Sequence, residues 1–107
     1  MKGSFIGELE ELVLLTAAGL HNEAYGVAIV AEIANSTGRK INIGAIHTVL
    51  RRLEDKGYVT SRLGGATNER GGRRKRIYTL TRAGSDILDE IYSIRTQLYQ
   101  KINPSRS

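Results

Sequence analysis

The stretch Ile41–Leu80, INIGAIHTVLRRLEDKGYVTSRLGGATNERGGRRKRIYTL, decides the fold of this 107-residue chain. Its first part predicts an amphipathic helix over Ile43–Lys56, because apolar residues recur there at i, i+3, i+4 and i+7. Asn42 precedes that helix and is a favourable N-cap. Two half-buried strands are predicted over 58–63 and 75–80, joined by a tip rich in glycine and arginine. The core-facing positions of the helix are Ile46, Val49, Leu50 and Leu53.

Three further helices are predicted around this stretch. Acidic residues in a first turn and helical apolar spacing predict a helix over 8–20. A second helix is predicted over 24–36, with Asn22 as its N-cap. Thr81 is expected to cap a last helix over 82–102. The apolar stripes of the first two helices are Leu9, Leu12, Val13, Thr16, Ala17 and Leu20, and Val27, Val30, Ile33 and Ala34.

The order of these elements is that of a winged helix-turn-helix. The predicted fold class is mainly α with a small β hairpin; the second and third helices form the helix-turn-helix pair, and the hairpin is the wing. We predict a winged helix-turn-helix DNA-binding domain at 1–81 and a C-terminal dimerisation helix and tail at 82–107. Because the length is that of one domain, both parts are expected to form one compact unit.

The charge of the chain is concentrated in the predicted wing. Residues 62–76 carry a net charge of +5, which equals the formal net charge of the whole protein. Like charges this close repel one another unless a polyanion neutralises them, so the pattern favours contact with the phosphates of nucleic acid. The alternative is a solvated hairpin turn in which the arginines only add solubility. The cations are Arg62, Arg70, Arg73, Arg74, Lys75 and Arg76.

The polar face of the third helix is the candidate for reading DNA bases. In helix-turn-helix proteins the first half of the second helix of the pair enters the major groove, where Thr48 and Arg51 are suited to base edges. Arg52 and Lys56 lie further along and suit phosphates. The alternative is an ordinary solvated face. This face consists of Gly44, Ala45, His47, Thr48, Arg51, Arg52 and Asp55.

The last helix carries an apolar stripe with the 4-3-4 spacing of a coiled-coil seam. It either folds back on the first helix of its own chain or pairs with the same elements of a second chain. We favour the second interpretation, since a two-fold dimer sets two recognition helices about one DNA turn apart. The expected dimerisation residues are Leu9, Leu12, Ile87, Ile91, Ile94 and Leu98.

Several function classes have no support in the sequence. Cysteine is absent, and His21 and His47 lie on different elements without a metal-ligand spacing. The neighbouring carboxylates point in different helical directions, and no phosphate-binding glycine motif is found. We therefore expect no enzyme activity, metal or cofactor. No apolar run approaches the roughly 20 residues of a membrane span, so a cytoplasmic protein without membrane contact is expected.

Four segments, taken in order, resemble the PadR family of transcriptional regulators over nearly the whole chain. They are GELE at Gly7–Glu10, EAYGV at Glu23–Val27, the pattern IGAI to LRRLEDKGYV within Ile43–Val59, and GGRRKRIY with LTRAG within Gly71–Gly84. The single C-terminal helix resembles the short branch of the family. The resemblance implies a homodimeric regulator of double-stranded DNA, most often a repressor at an inverted-repeat operator, which a small hydrophobic effector can release.

Carried over by position, the resemblance implies that residues 42–51 read bases. His47 stands where the family commonly has tyrosine, and a histidine there would make DNA binding sensitive to pH. Some short members bind flat aromatic drugs with tryptophan at the dimer centre, whereas this chain has none. The phosphate contacts that the resemblance implies are Tyr25, Arg70, Arg73 and Arg74. The aromatic candidates for an effector site are Phe5, Tyr92 and Tyr99.

Two other functions fit the same sequence features. A winged helix with a basic wing can dock on an acidic protein, and it can also package DNA without sequence preference. Both rivals share the electrostatic attraction that salt weakens. Dependence of binding on DNA sequence separates the regulator from either of them.

Overall fold

The computed structural model describes residues 6–64 and 75–102. Within them the predicted order of elements is confirmed, with two antiparallel strands forming the wing after the helix-turn-helix pair α2–α3. The fold is a mainly helical winged helix. The wing tip, which contains Arg70, Arg73 and Arg74, lies outside the described residues. The elements are α1 (Glu8–Leu20), a 3-10 turn (His21–Glu23), α2 (Gly26–Thr37), α3 (Ile43–Asp55), β1 (Val59–Leu63), β2 (Arg76–Leu80) and α4 (Arg82–Gln100).

Local side-chain chemistry sets the predicted helix ends. The Asn42 side-chain oxygen accepts a hydrogen bond from the Ala45 N–H at 2.8 Å, which caps α3. The Thr81 hydroxyl accepts one from the Gly84 N–H at 3.0 Å and caps α4 in the same way. Gly38 ends α2 with φ +78°, a conformation that glycine adopts without strain.

The start of α2 was predicted incorrectly. Asn22 does not cap the helix but lies in the 3-10 turn, and α2 begins two residues later than expected, at Gly26. The reason lies in the tertiary structure, because the backbone of Ala24 and Tyr25 pairs with strand β2 of the wing. The Ala24 carbonyl accepts a hydrogen bond from the Tyr78 N–H at 2.9 Å, and Tyr25 forms an isolated β-bridge with Ile77.

The buried face of α2 differs from the predicted one at Val27. Val27, placed in the core from the sequence, is 67% exposed, whereas Ile33 is buried as predicted and Ile29 is buried although it was not predicted to be. The buried face also includes Gly26, where an added Cβ atom would lie 3.0 Å from Ile43 Cδ1. The face that carries the glycine is the one that packs closely on α3. All four predicted core residues of α3 are buried.

Gly84 lets α4 cross closely over the link between α3 and β1. A Cβ atom at this position would overlap the carbonyl oxygen of Tyr58. We expect Gly84→Ala to lower the free energy of unfolding by about 1–3 kcal/mol, the usual cost of overpacking. Gly19→Ala is the matched control, because nothing lies within 4 Å of its added methyl and alanine favours the helix. Thermal unfolding should show a lower stability than the wild type for Gly84→Ala and a higher stability for Gly19→Ala. Equal stability of the two variants would contradict the close approach.

Candidate nucleic-acid interface

The outer face of α3 is available to solvent along its length. Six of the seven residues of its predicted polar face are exposed, while Ala45 is half-buried and the opposite stripe is packed in the core. A rigidly packed helix with one polar face exposed is the arrangement that enters a DNA groove. The exposed six are Gly44, His47, Thr48, Arg51, Arg52 and Asp55.

Two of the predicted base-reading groups already have hydrogen bonds within the helix. The Asn42 side-chain oxygen is used by the N-cap, and the Thr48 hydroxyl donates to the Gly44 carbonyl at 3.1 Å. Thr48 therefore keeps its methyl group and its acceptor lone pairs for a base, but its proton is engaged. Arg51 makes no hydrogen bond or ion pair with any residue that the structure describes, so its guanidinium can bind a ligand.

His47 lies against the first turn of α2. A Cβ atom on Gly26 would come within 2.7 Å of His47 Nε2, so only glycine leaves room for the imidazole at its present position. The ring is exposed, but it contacts the neighbouring helix on one side. His47 thus lies where the two helices of the helix-turn-helix pair meet.

The base of the wing and the start of α2 form one surface. The Lys75 ammonium lies 4.1 Å from the centroid of the Tyr25 ring, a cation–π contact. The β-bridge between Tyr25 and Ile77 holds the backbones at the same point. The structure therefore brings Tyr25, predicted from the family resemblance to bind phosphate, next to a cation of the wing.

A chain of hydrogen bonds links α3 to both strands of the wing. Arg76 donates to the Ser61 hydroxyl at 3.0 Å, and Ser61 donates to the Glu54 carboxylate at 2.9 Å. Burial and the nearby Glu54 carboxylate raise the pKa of Tyr78, against the opposing charges of Arg76 and Arg51. Arg76, counted among the wing cations, thus uses one guanidinium N–H within the protein at the wing base, and sequence reasoning missed this network.

Lys56 is not placed as the sequence predicted. Its ammonium lies 3.0 Å from each oxygen of the Glu10 carboxylate on α1, rather than extending freely toward a phosphate. Burial raises the pKa of Glu10, but the Gly7 N–H, Lys56 and Arg52 outweigh burial and hold this pKa below its usual value of 4.5. Glu10 was read only as a first-turn acid, yet its helical spacing to the buried Val13 placed it on the core face.

The Glu10 carboxylate should make stability depend on pH. Because its pKa is lower in the folded state, its stabilising effect is complete above the unfolded value near 4.5 and is lost as the pH falls through the folded value. We expect the free energy of unfolding of the wild type to fall more steeply below about pH 4.5 than that of Glu10→Gln. Urea titrations between pH 7 and pH 3 measure this difference. The same dependence of the free energy of unfolding on pH in both proteins would contradict it.

The expected dimerisation residues divide into two groups. Ile87 is only 4% exposed and lies in the core of its own chain, and three others are half-buried against that core. Ile94 and Leu98, in the second half of α4, are 42% and 60% exposed. Of the effector candidates, Tyr92 and Tyr99 are exposed on the same helix, whereas Phe5 lies outside the described residues. The half-buried three are Leu9, Leu12 and Ile91.

The exposed recognition helix beside a basic wing defines a winged-helix protein of the kind that contacts nucleic acid. A sequence model of the transcriptional regulator PadR-like family matches residues 14–90. The chain therefore belongs to the PadR-like family of transcriptional regulators, as the sequence motifs predicted. No curated protein sequence matches the chain significantly.

Solved structures of the family share the fold. A PadR-like regulator from Bacillus cereus has a TM-score of 0.71 at 18% identity, over 92% of this chain and 91% of that one. A PadR family regulator from Eggerthella lenta is 28% identical, with a TM-score of 0.66 over 94% and 87%. Bacillus subtilis PadR, solved with operator DNA, is 24% identical, with a TM-score of 0.63 over 79% of this chain and 46% of that one.

Two features of the described residues bear on other functions. No helix among residues 6–64 and 75–102 is long and apolar enough to cross a membrane. Within the same ranges, no cluster of histidine, aspartate and glutamate side chains has the arrangement of a metal site.

Proposed function

We propose that this protein is a homodimeric, sequence-specific DNA-binding repressor that occupies an inverted-repeat operator. The observation that carries the proposal is the exposed polar face of α3, on which Arg51 makes no hydrogen bond or ion pair with the described residues. Lys75 of the wing base lies over the Tyr25 ring at the start of α2, the other helix of the pair. An α-helix with such a face fits the major groove, and the flanking cations then meet the phosphates. The operator complex of the Bacillus subtilis relative supports the same use of the fold.

The dimer is supported by the second half of α4. Ile94 and Leu98 of α4 are 42% and 60% exposed, and Ile102 just past its end is 77% exposed. They leave an apolar stripe on the part of the chain that extends beyond its own core. A second copy that packs on this stripe and on α1 would bury it. The two-fold symmetry of such a pair matches the symmetry of an inverted repeat.

An effector, in this proposal, is a small hydrophobic molecule that binds where α1 and α4 of two subunits meet. Tyr92 and Tyr99 offer exposed aromatic rings on α4, and Arg95 of α4 donates to Glu11 of α1 at 2.9 Å. A ligand between these helices would release DNA only by binding more tightly to a subunit arrangement whose recognition helices no longer fit the groove spacing.

Selection of bound sequences from a random duplex pool tests the proposed function. The salt concentration should be about 0.15 M, because purely electrostatic binding is weak there. We expect recovery of an inverted repeat with two half-sites about one helical turn apart. Uniform binding of every duplex would instead support DNA packaging, and no binding would direct the search to an acidic protein partner.

The wing arginines should contribute binding affinity that does not depend on the DNA sequence. We expect Arg73→Ala plus Arg74→Ala to weaken binding to every duplex and to flatten the dependence of log K on log salt by roughly 0.9 for each lost phosphate contact. The matched control is Arg82→Ala plus Lys101→Ala. It removes two exposed positive charges, one at the first residue of α4 and one at its C-cap residue. Filter binding at several salt concentrations measures both; equal slopes would exclude the wing from the phosphate contacts.

A further inference from the structure

Glu10 is the one charged residue that is buried among the residues the structure describes. It is 7% exposed and lies on the same face of α1 as Val13, Leu14 and Ala17. A carboxylate in such a place is destabilising unless charged or hydrogen-bonding partners compensate for its lost water. Its position therefore requires a structural explanation beyond a favourable charge at the start of a helix.

The partners of Glu10 join the start of α1 to the end of α3. Its Oε1 atom accepts the Gly7 N–H at 2.7 Å, while the Lys56 ammonium lies 3.0 Å from both carboxylate oxygens. Lys56 is the C-cap of the recognition helix, and its own N–H donates to the Arg52 carbonyl. The ion pair thus spans 46 positions of sequence and ends at the last turn of α3.

The two ends of α3 are held by different means. The first turn is capped locally by Asn42, three residues from the N–H that it accepts. At the last turn, the Lys56 side chain makes its one contact with another helix through the Glu10 carboxylate, within the described residues. Because Glu10 lies beneath the helix rather than on its outer face, it cannot contact DNA that binds that face.

We propose that Glu10 is a positioning residue of the recognition helix. It holds Lys56 and thereby sets the orientation of α3 on α1. Two recognition helices can fit two half-sites at the same time only if this orientation is correct. This inference rests on the proposed function, since orientation matters for a sequence-specific dimer and not for nonspecific binding. Loss of the pair should therefore lower specificity far more than nonspecific affinity.

The test compares the affinity for the selected operator with that for a scrambled duplex of equal length. We expect Glu10→Gln, which keeps an acceptor for the Gly7 N–H, to lower this affinity ratio roughly tenfold or more, the scale of one mismatched base pair. Glu32→Gln is the matched control: it removes the same charge from α2, where Glu32 accepts only from the Ser36 hydroxyl among the described contacts. Its ratio should remain that of the wild type.

Substitutions of the lysine complete the test. Lys56→Arg keeps a cation for Glu10 and should retain the wild-type ratio, whereas Lys56→Gln should lower it. The double variant Glu10→Gln plus Lys56→Gln should lose no more than either single variant, because the two residues act as one pair. Additive losses, or an unchanged ratio in Glu10→Gln, would overturn the proposal.

Hydrogen exchange of the free protein separates this proposal from the proposed function. We expect the amides of residues 52–58 to exchange faster in Glu10→Gln than in Glu32→Gln, by a larger factor than the amides of α1 and α2. If the wild type has no preferred operator, the proposed function fails, and the exchange result alone decides whether Glu10 positions α3. Equal exchange in the two variants would then overturn the positioning role as well.

Discussion

Ile94→Glu plus Leu98→Glu is expected to convert the protein into a monomer and to weaken operator binding by roughly 10²–10⁴-fold. Both side chains are exposed on the part of α4 that extends beyond the core, so the charges should not disturb the fold of one chain. They would be buried between two copies, where unpaired carboxylates are strongly unfavourable. Each subunit would then bind one half-site without the effective concentration that a partner provides.

Ser93→Glu plus Gln100→Glu is the control for this prediction. It adds the same two charges to α4 at exposed positions that helical spacing puts away from the apolar stripe. Analytical ultracentrifugation should find a dimer for the control and a monomer for the first variant, with equal helix content by circular dichroism. A dimer that persists in both would remove α4 from the subunit interface.

Arg51→Ala is the second substitution with a large expected effect. A guanidinium that forks onto a guanine contributes about 1–3 kcal/mol at one base position, and a dimer makes that contact in both half-sites, so the operator complex should lose about 2–6 kcal/mol. Arg51 suits this role because it is exposed and makes no hydrogen bond or ion pair with the described residues. The loss should be accompanied by a relaxed base preference at one position of each half-site.

Arg51→Lys distinguishes the two-point hydrogen bonding of the guanidinium from its positive charge. Lysine keeps the attraction to DNA but lacks the rigid planar fork, so nonspecific affinity should stay while the base preference is weakened. Binding measured on operators with each base in turn at the relaxed position checks this. If alanine and lysine variants both kept the wild-type base preference, Arg51 would be a phosphate contact or a solvated residue.

Local signals in the sequence were sufficient for most of the fold. Asn42 and Thr81 were predicted as N-caps, and both accept the expected N–H in the structure. The four apolar residues of α3 are all buried, because a period near 3.6 residues depends on the helix alone. The PadR-like family was also predicted from ordered motifs, which a match over residues 14–90 confirms.

The candidate site was less predictable where distant elements decide it. The contact of Lys75 with Tyr25 joins residues 50 positions apart along the chain, and no local pattern announces it. Lys56 was read as suited to phosphates because it lies further along the helix than the predicted base-reading residues. One feature of the sequence could have predicted the contact of Lys56 with Glu10. Glu10 is an acid at the helical spacing of core residues, and a buried acid requires a cationic or hydrogen-bonding partner.

The sequence by itself determined the order of helices and strands, the caps of α3 and α4, and the concentration of positive charge in the wing. These properties depend on residues within one or two turns of each other, or on composition. Only the tertiary structure decided where α2 begins and that Gly26 rather than Val27 lies against α3, because the Tyr78 N–H of β2 donates to the Ala24 carbonyl and a Cβ atom on Gly26 would meet Ile43. It likewise decided which cations remain available, since a charge is neutralised by whichever partner the packing of the whole chain brings within reach.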